Sequence, residues 1–384
     1  MIPNQIRQQF SFRFQTEPAV IVRSPGRINL IGEHTDYNQG FVLPAAIDKA
    51  IYLGFKKNHT SKCSVYSLDY GQMEEFDLNE LVPRNGGWIN FIMGVAQQFK
   101  IGGLEIGGFD CVFGGDIPIG AGLSSSAALE NGVGMGLSHL FDHSVSKNSL
   151  IEMSQRAEHE FAGVHCGIMD MFASMMGKKD LAIKLDCKTL EYTYFPLKLG
   201  EYQFLLLDSK VTHALGDSKY NTRRKECEAG VALIQSQFPD VKSLRDVEYS
   251  MLVEQRANFS PNVWDRCTYV VEENERLQLA CECLEREDLK GFGQLMYASH
   301  DGLRHKYEVS CPELDFLVDF TRDKDYVLGA RMMGGGFGGC TIHLLESGSA
   351  EHFLEIIGKE YKQTTGKELA AYPVRISDGT EIIA

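Results

Sequence analysis

The chain has 384 residues, 43% of them hydrophobic and 23% charged, which allows two domains around a sizeable core. Its net charge of −14 disfavours nucleic acid or an anionic membrane as a general partner, because both attract basic surfaces. No apolar run is long enough to span a bilayer, and residues 1–7 lack the apolar core of a signal peptide. The ten cysteines form no Cys-x-x-Cys pair and read as reduced thiols of a cytoplasmic protein, not as a disulfide frame or zinc site.

In chain order, residues 19–22 read as a buried strand. A turn region, residues 24–38, follows it and carries Arg27, Glu33, His34, Thr35 and Asp36 among other polar groups. Such a density beside an apolar strand suits recognition of a small, hydroxyl-rich molecule, where each hydroxyl needs its own donor or acceptor. A solvated loop is the plain alternative. Strands are predicted at 50–55, 62–67, 109–113 and 181–185, and helices at 88–99, 127–140 and 146–159. After a buried strand at 202–207 the chain turns helical, over 218–238, 266–286 and 289–304. A strand at 340–345, a helix at 350–364 and a last strand at 371–375 complete it. This shift places a boundary near residue 200 and gives domains 1–200 and 201–384. The alternation of a doubly wound sheet is missing, so an α+β chain of two domains is expected.

Residues 114–130 follow a strand and open a helix. Gly120 and Gly122 allow close backbone approach. Ser124, Ser125 and Ser126 sit where the first helical N–H groups lack partners and the helix dipole is positive, which makes an anion site suited to polyphosphate. No Lys follows the glycines, so this is not a Walker A loop. Charge compensation must come from Mg²⁺ or an arginine, and Ser126 can offer its hydroxyl to the metal. An ordinary Ser-capped helix is the alternative.

A second cluster, residues 331–340, holds a formal G-x-G-x-x-G at Gly334, Gly336 and Gly339. A strand-like run follows it, not the helix that a dinucleotide fingerprint requires. It reads as a tight loop leaning on the active site, or as a ligand-free hairpin. Asp170 lies in the apolar segment 168–176, so it must be capped, paired or functional. It falls inside the expected first turn of a helix, a poor place for a cap. Glu158 is a candidate metal ligand, or a surface helix residue. His34 and His159 lack metal-ligand spacing. Tyr220 heads a basic patch at a helix start and can pack on a ligand ring.

These pieces, in this order, resemble the GHMP small-molecule kinases, and within them the galactokinases, over nearly the whole chain. Residues 25–38 look like the galactokinase sugar-binding signature, residues 118–128 like the GHMP phosphate loop, and residues 334–339 like the third GHMP motif. Residues 157–159 with 166–170, and 220–224, also match. The first signature is highly specific; the phosphate loop alone indicates only the superfamily.

The resemblance implies a two-domain fold with a mixed-sheet N-terminal domain, an α/β C-terminal domain and the active site between them. It implies ATP-dependent phosphorylation of D-galactose at the anomeric hydroxyl, giving α-D-galactose 1-phosphate and ADP, by a monomer. Glu33, His34, Thr35 and Asp36 would bind sugar hydroxyls, with Tyr220 completing the pocket. Gly120, Ala121, Gly122, Leu123, Ser124, Ser125 and Ser126 would wrap the ATP phosphates. Ser126 and Glu158 would hold Mg²⁺. Asp170 would be the base or orienting group at the attacking hydroxyl, and Arg27 would stabilise the transferring phosphoryl group.

Three positions depart from the commonest galactokinase pattern: Met171 stands for Gln, Met333 for Thr and Phe91 for Tyr. A kinase of a related sugar such as N-acetylgalactosamine is the nearest alternative. A non-catalytic sugar sensor on the same fold is another, against which the intact residues 124–128 and Asp170 speak. The Glu33-His34-Thr35-Asp36 run speaks against mevalonate or homoserine as substrate.

Overall fold

A computed structural model of the chain describes residues 2–118, 120–211 and 216–384. Ile119 of the expected phosphate loop lies outside the described residues. The first strand is longer than its apolar stretch predicts. It runs Val20–Asn29, so Arg27 sits on a strand and not in a turn. Pairing with the strand Pro44–Lys57 continues past the apolar residues, with a register shift between Pro25 and Arg27. Such a bulge is where a sheet tolerates proline, which has no N–H for the ladder. Gly26 lies beside it under the phosphate loop, where a Cβ would stand 2.7 Å from the Leu123 carbonyl oxygen.

The chain is α+β. A six-stranded sheet has the order Glu381–Ile382, Val20–Asn29, Pro44–Lys57, Phe109–Gly115, Lys62–Ser67 and Gln72–Asp77. It is mixed: Lys62–Ser67 and Phe109–Gly115 run parallel, and its other pairs are antiparallel. The helix Ser125–Leu140 packs on it. Gly132 of that helix comes so close that a Cβ would stand 2.4 Å from Leu53 Cδ1. A four-stranded antiparallel sheet has the order Val327–Met332, Cys340–Glu346, Tyr202–Asp208 and Ala370–Val374. The helices Gly216–Gln235, Pro261–Glu285 and Leu289–His305 belong to this second half. A small sheet of Phe41–Val42, Leu181–Asp186 and Tyr192–Pro196 completes the strands.

The last strand departs from a simple division at residue 200. Glu381–Ile382 crosses back and pairs with Val20–Asn29, and Thr380 donates its N–H to the Ser174 carbonyl at 2.8 Å. The chain end thus ties both halves together behind the helix Met169–Met176, which carries Asp170. Among the described residues no helix is long and apolar enough to cross a membrane. All ten cysteines are free thiols.

Candidate active site

The end of the strand Val20–Asn29 aims Arg27 at the phosphate loop and at Asp170. Arg27 Nε donates to Asp170 Oδ1 at 2.7 Å and Nη2 to Oδ2 at 2.8 Å. Nη1 donates to the Gly122 carbonyl at 2.7 Å. Burial opposes the charge on Arg27, but the Asp170, Glu33 and Asp36 carboxylates outweigh it and raise the guanidinium pKa. Asp170 lies in the first turn of Met169–Met176, as its position predicts. Ser124 also donates its hydroxyl to Asp170 Oδ2. Ser124 therefore makes no side-chain cap, and its backbone is left-handed at φ 57°. The Ser-capped helix does not hold at this position.

Arg27, Glu33, His34, Asp36, Glu158, Asp170 and Tyr220 line one cavity of about 370 Å³. Glu33 is 2% exposed. Its Oε1 accepts from Arg331 Nη2 and from the Gly334 N–H, both at 2.8 Å. The glycine-rich loop does lean on this cavity, as a turn between antiparallel strands. His34 Nδ1 bonds the Tyr37 hydroxyl at 2.8 Å, and its buried Nε2 has no partner among the described residues. Burial, helped by the Arg223 charge, lowers His34 to about 3, so the ring is neutral at ordinary pH. Burial pushes Asp36 the other way, up to about 7. The Tyr220 ring centre lies 5.4 Å from His34 and 5.2 Å from Tyr37, which makes an aromatic wall.

Thr35 is the exception. It is fully buried, and its hydroxyl closes the turn, its one proton shared between the Gly32 carbonyl at 2.9 Å and the Phe41 carbonyl. It shapes the loop and does not line the cavity. In the phosphate loop, Ala121 and Leu123 bury their side chains in the core, so their backbones are what they can offer an anion.

Glu158 is 7% exposed, not a surface residue. The helix predicted to 159 ends at Ala157 and continues as a π-helical turn, Glu158–Ala162, a distortion common at functional sites. Glu158 Oε1 accepts from the Ser126 hydroxyl at 3.0 Å and Oε2 from the Cys166 thiol at 3.3 Å. Burial pushes its pKa up to about 7. One helical turn beyond Ser126, Glu130 is fully buried with both carboxylate oxygens unpartnered among the described residues. No group of three or more His, Cys, Asp or Glu side chains suited to a metal ion occurs among the described residues. A hydroxyl and one carboxylate, beside a second buried carboxyl whose pKa burial pushes well up, nevertheless fit Mg²⁺, which takes one or two protein oxygens and fills its shell with phosphate oxygens and water.

Sequence reasoning did not single out Arg331, Tyr37, Tyr307, Gly167 or Cys166 as parts of this site. Tyr307 bonds the Tyr37 hydroxyl at 2.8 Å and so backs His34. A Cβ on Gly167 would stand 1.9 Å from Asp36 Oδ2. Cys166 and Gly167 lie in the matching run 166–170 and Tyr37 in the signature 25–38, but nothing in those runs sets their roles apart; Tyr307 carries no sequence signal.

Residues 90–178 match the GHMP kinases N-terminal domain and residues 280–363 the GHMP kinases C-terminal domain. With the mixed sheet and the loop before Ser125–Leu140, these matches define a GHMP kinase. Residues 8–57 match the galactokinase galactose-binding signature. A galactokinase of Thermotoga maritima is 40% identical over 362 residues, which are 94% of this chain and 99% of that protein. One of Fusobacterium nucleatum is 41% identical over 361 residues, 93% of each chain. The crystal structure of Lactococcus lactis galactokinase complexed with galactose superimposes with a TM-score of 0.95 at 34% identity, covering 99% of this chain and 100% of that one. The chain belongs to the galactokinase family.

Proposed function

We propose that this protein transfers the γ-phosphoryl group of ATP to the anomeric hydroxyl of D-galactose, giving α-D-galactose 1-phosphate and ADP. The observation that carries the reading is one cavity in which Glu33, His34 and Asp36 converge with the Arg27–Asp170 pair. Two carboxylates and a neutral imidazole supply the acceptors and donors that a sugar's hydroxyls need. The Tyr220 ring supplies an apolar wall.

Positioning and charge neutralisation dominate phosphoryl transfer. Asp170, held by Arg27 and Ser124, orients the anomeric hydroxyl and takes its proton as the O–P bond forms. Arg27 faces the negative charge of the transferring group with the N–H donors that Asp170 and Gly122 leave free. Gly120–Ser126 offer backbone N–H groups to the phosphates at the positive end of the helix Ser125–Leu140. Mg²⁺, held by the Ser126 hydroxyl and the Glu158 carboxylate, would neutralise phosphate charge there.

Residues 1–200 and 201–384 act as two lobes about this cavity, with the last strand as a return tie. Ten free thiols support work in the cytoplasm. The test is ADP release with Mg-ATP and D-galactose, N-acetylgalactosamine, glucose or no sugar. Turnover that depends on galactose and exceeds the others is expected. Preference for N-acetylgalactosamine overturns the substrate. Galactose binding without turnover overturns the reaction in favour of a sensor.

A further inference from the structure

Arg331 is fully buried, a position that a guanidinium occupies only when its donors and charge are matched. It lies on Val327–Met332 of the four-stranded sheet, yet its partners are mostly in the other half of the molecule. Nε donates to the Leu30 carbonyl and Nη2 to the Asn29 carbonyl, both at 2.7 Å. Nη2 also donates to Glu33 Oε1 at 2.8 Å, and Nη1 to the carbonyl of Met332 at 2.8 Å.

These acceptors share one place in the fold. Asn29 ends the first strand of the six-stranded sheet. Leu30 and Glu33 begin the loop that enters the cavity. A chain leaving a sheet has carbonyls without ladder partners, and buried ones must find a donor. Arg331 supplies it from across the interface. The same guanidinium and the Gly334 N–H both hold Glu33 by Oε1. Oε2 has no hydrogen-bond partner among the described residues, and Glu33 lines the cavity. One carboxylate oxygen is thus committed to the scaffold and the other is left for a ligand.

We propose that Arg331 is a positioning residue for the sugar site: it fixes Glu33 so that Oε2 faces the ligand, and it makes that orientation depend on the docking of the two sheets. The inference rests on reading this cavity as the galactose site. It gives the glycine-rich loop a part in sugar binding as well, since Gly334 shares the load on Oε1. A lysine cannot replace this arginine, because an ammonium is a point donor and cannot span carbonyls and a carboxylate held in a planar fork.

The experiment compares wild-type protein, Arg331→Lys, Glu33→Gln and the double variant. It reads the KM for each substrate, kcat, galactose binding by calorimetry without nucleotide, and thermal unfolding. Arg331→Lys should raise the galactose KM and Kd together by at least about tenfold, with the ATP KM within about twofold. The double variant should be weaker than Glu33→Gln by less than about threefold, because both changes remove one tether. Equal losses for galactose and ATP, or fully additive losses, would overturn the proposal in favour of a general structural role. If Arg331→Lys does not fold, Glu33→Gln carries the test alone. It should lose galactose affinity and melt lower, since it leaves a buried cation unpaired; wild-type melting would overturn the tether. Wild-type turnover that depends on another sugar overturns the galactose reading separately, and Arg331 is then judged by the same KM split on that sugar.

Discussion

Asp170 receives two donors from a single guanidinium, Arg27 Nε at 2.7 Å to Oδ1 and Nη2 at 2.8 Å to Oδ2. This fork fixes the plane of the carboxylate next to the cavity. Asp170→Asn keeps the shape but cannot accept a proton. Turnover should fall by about a hundredfold or more, the usual share of a positioned acid–base group, while galactose binding by calorimetry largely survives. Near wild-type turnover in this variant would remove Asp170 from the mechanism.

Arg27→Lys tests the other half of the pair. A lysine keeps the charge and loses the fork, so Asp170 and the Gly122 carbonyl cannot both be served. A marked loss of kcat is expected from steady-state rates. A fall of less than about threefold, ~0.7 kcal/mol, would take the transition-state role away from Arg27.

Much of this site was legible in the sequence because its residues break their local context. Glu33, His34 and Asp36 crowd beside an apolar strand, and Asp170 interrupts an apolar helix. Burial made those violations informative. Arg331 was not legible, because its carboxylate partner lies 298 residues away in the chain and a lone arginine before glycines has no periodic signature. Thr35, which the resemblance assigns to the sugar, instead turns its hydroxyl to the Gly32 and Phe41 carbonyls, because a place in a signature does not say which acceptors a hydroxyl meets. Among the strands, Gln72–Asp77 was missed for a physical reason. It is a polar, largely exposed edge strand, and hydrophobic alternation marks only strands with a buried face.

Gly167 should be intolerant of any side chain. A Cβ there would stand 1.9 Å from Asp36 Oδ2 and 2.3 Å from its Cγ, so the Asp36 carboxylate would have to leave its place in the cavity wall. Gly167→Ala should raise the galactose KM more than the ATP KM, and should cost stability on the scale of overpacking, about 1–3 kcal/mol. Steady-state kinetics and denaturant unfolding check both parts. An unchanged galactose KM would show that Asp36 can move without consequence.

Asp36 should give galactose binding a pH dependence near neutrality. Burial pushes its pKa up to about 7, with the Asp170 and Glu33 charges adding to it and the Tyr37 N–H and Arg27 opposing. His34, lowered to about 3, stays neutral through this range and adds no step. Protonation removes an acceptor for sugar hydroxyls, so affinity measured by calorimetry without nucleotide should weaken as pH falls through about 7. Asp36→Asn should bind galactose more weakly and lose the step. Stability runs the opposite way. The folded protein holds this proton more tightly than the unfolded chain, whose pKa is near 3.8. The resulting contribution is complete below the unfolded value and is lost as pH rises through about 7. Ligand-free Asp36→Asn should therefore melt higher than wild type above neutrality, with the gap closing on acidification. A gap that does not change with pH would mean that Asp36 ionises as freely in the folded protein as in the unfolded chain.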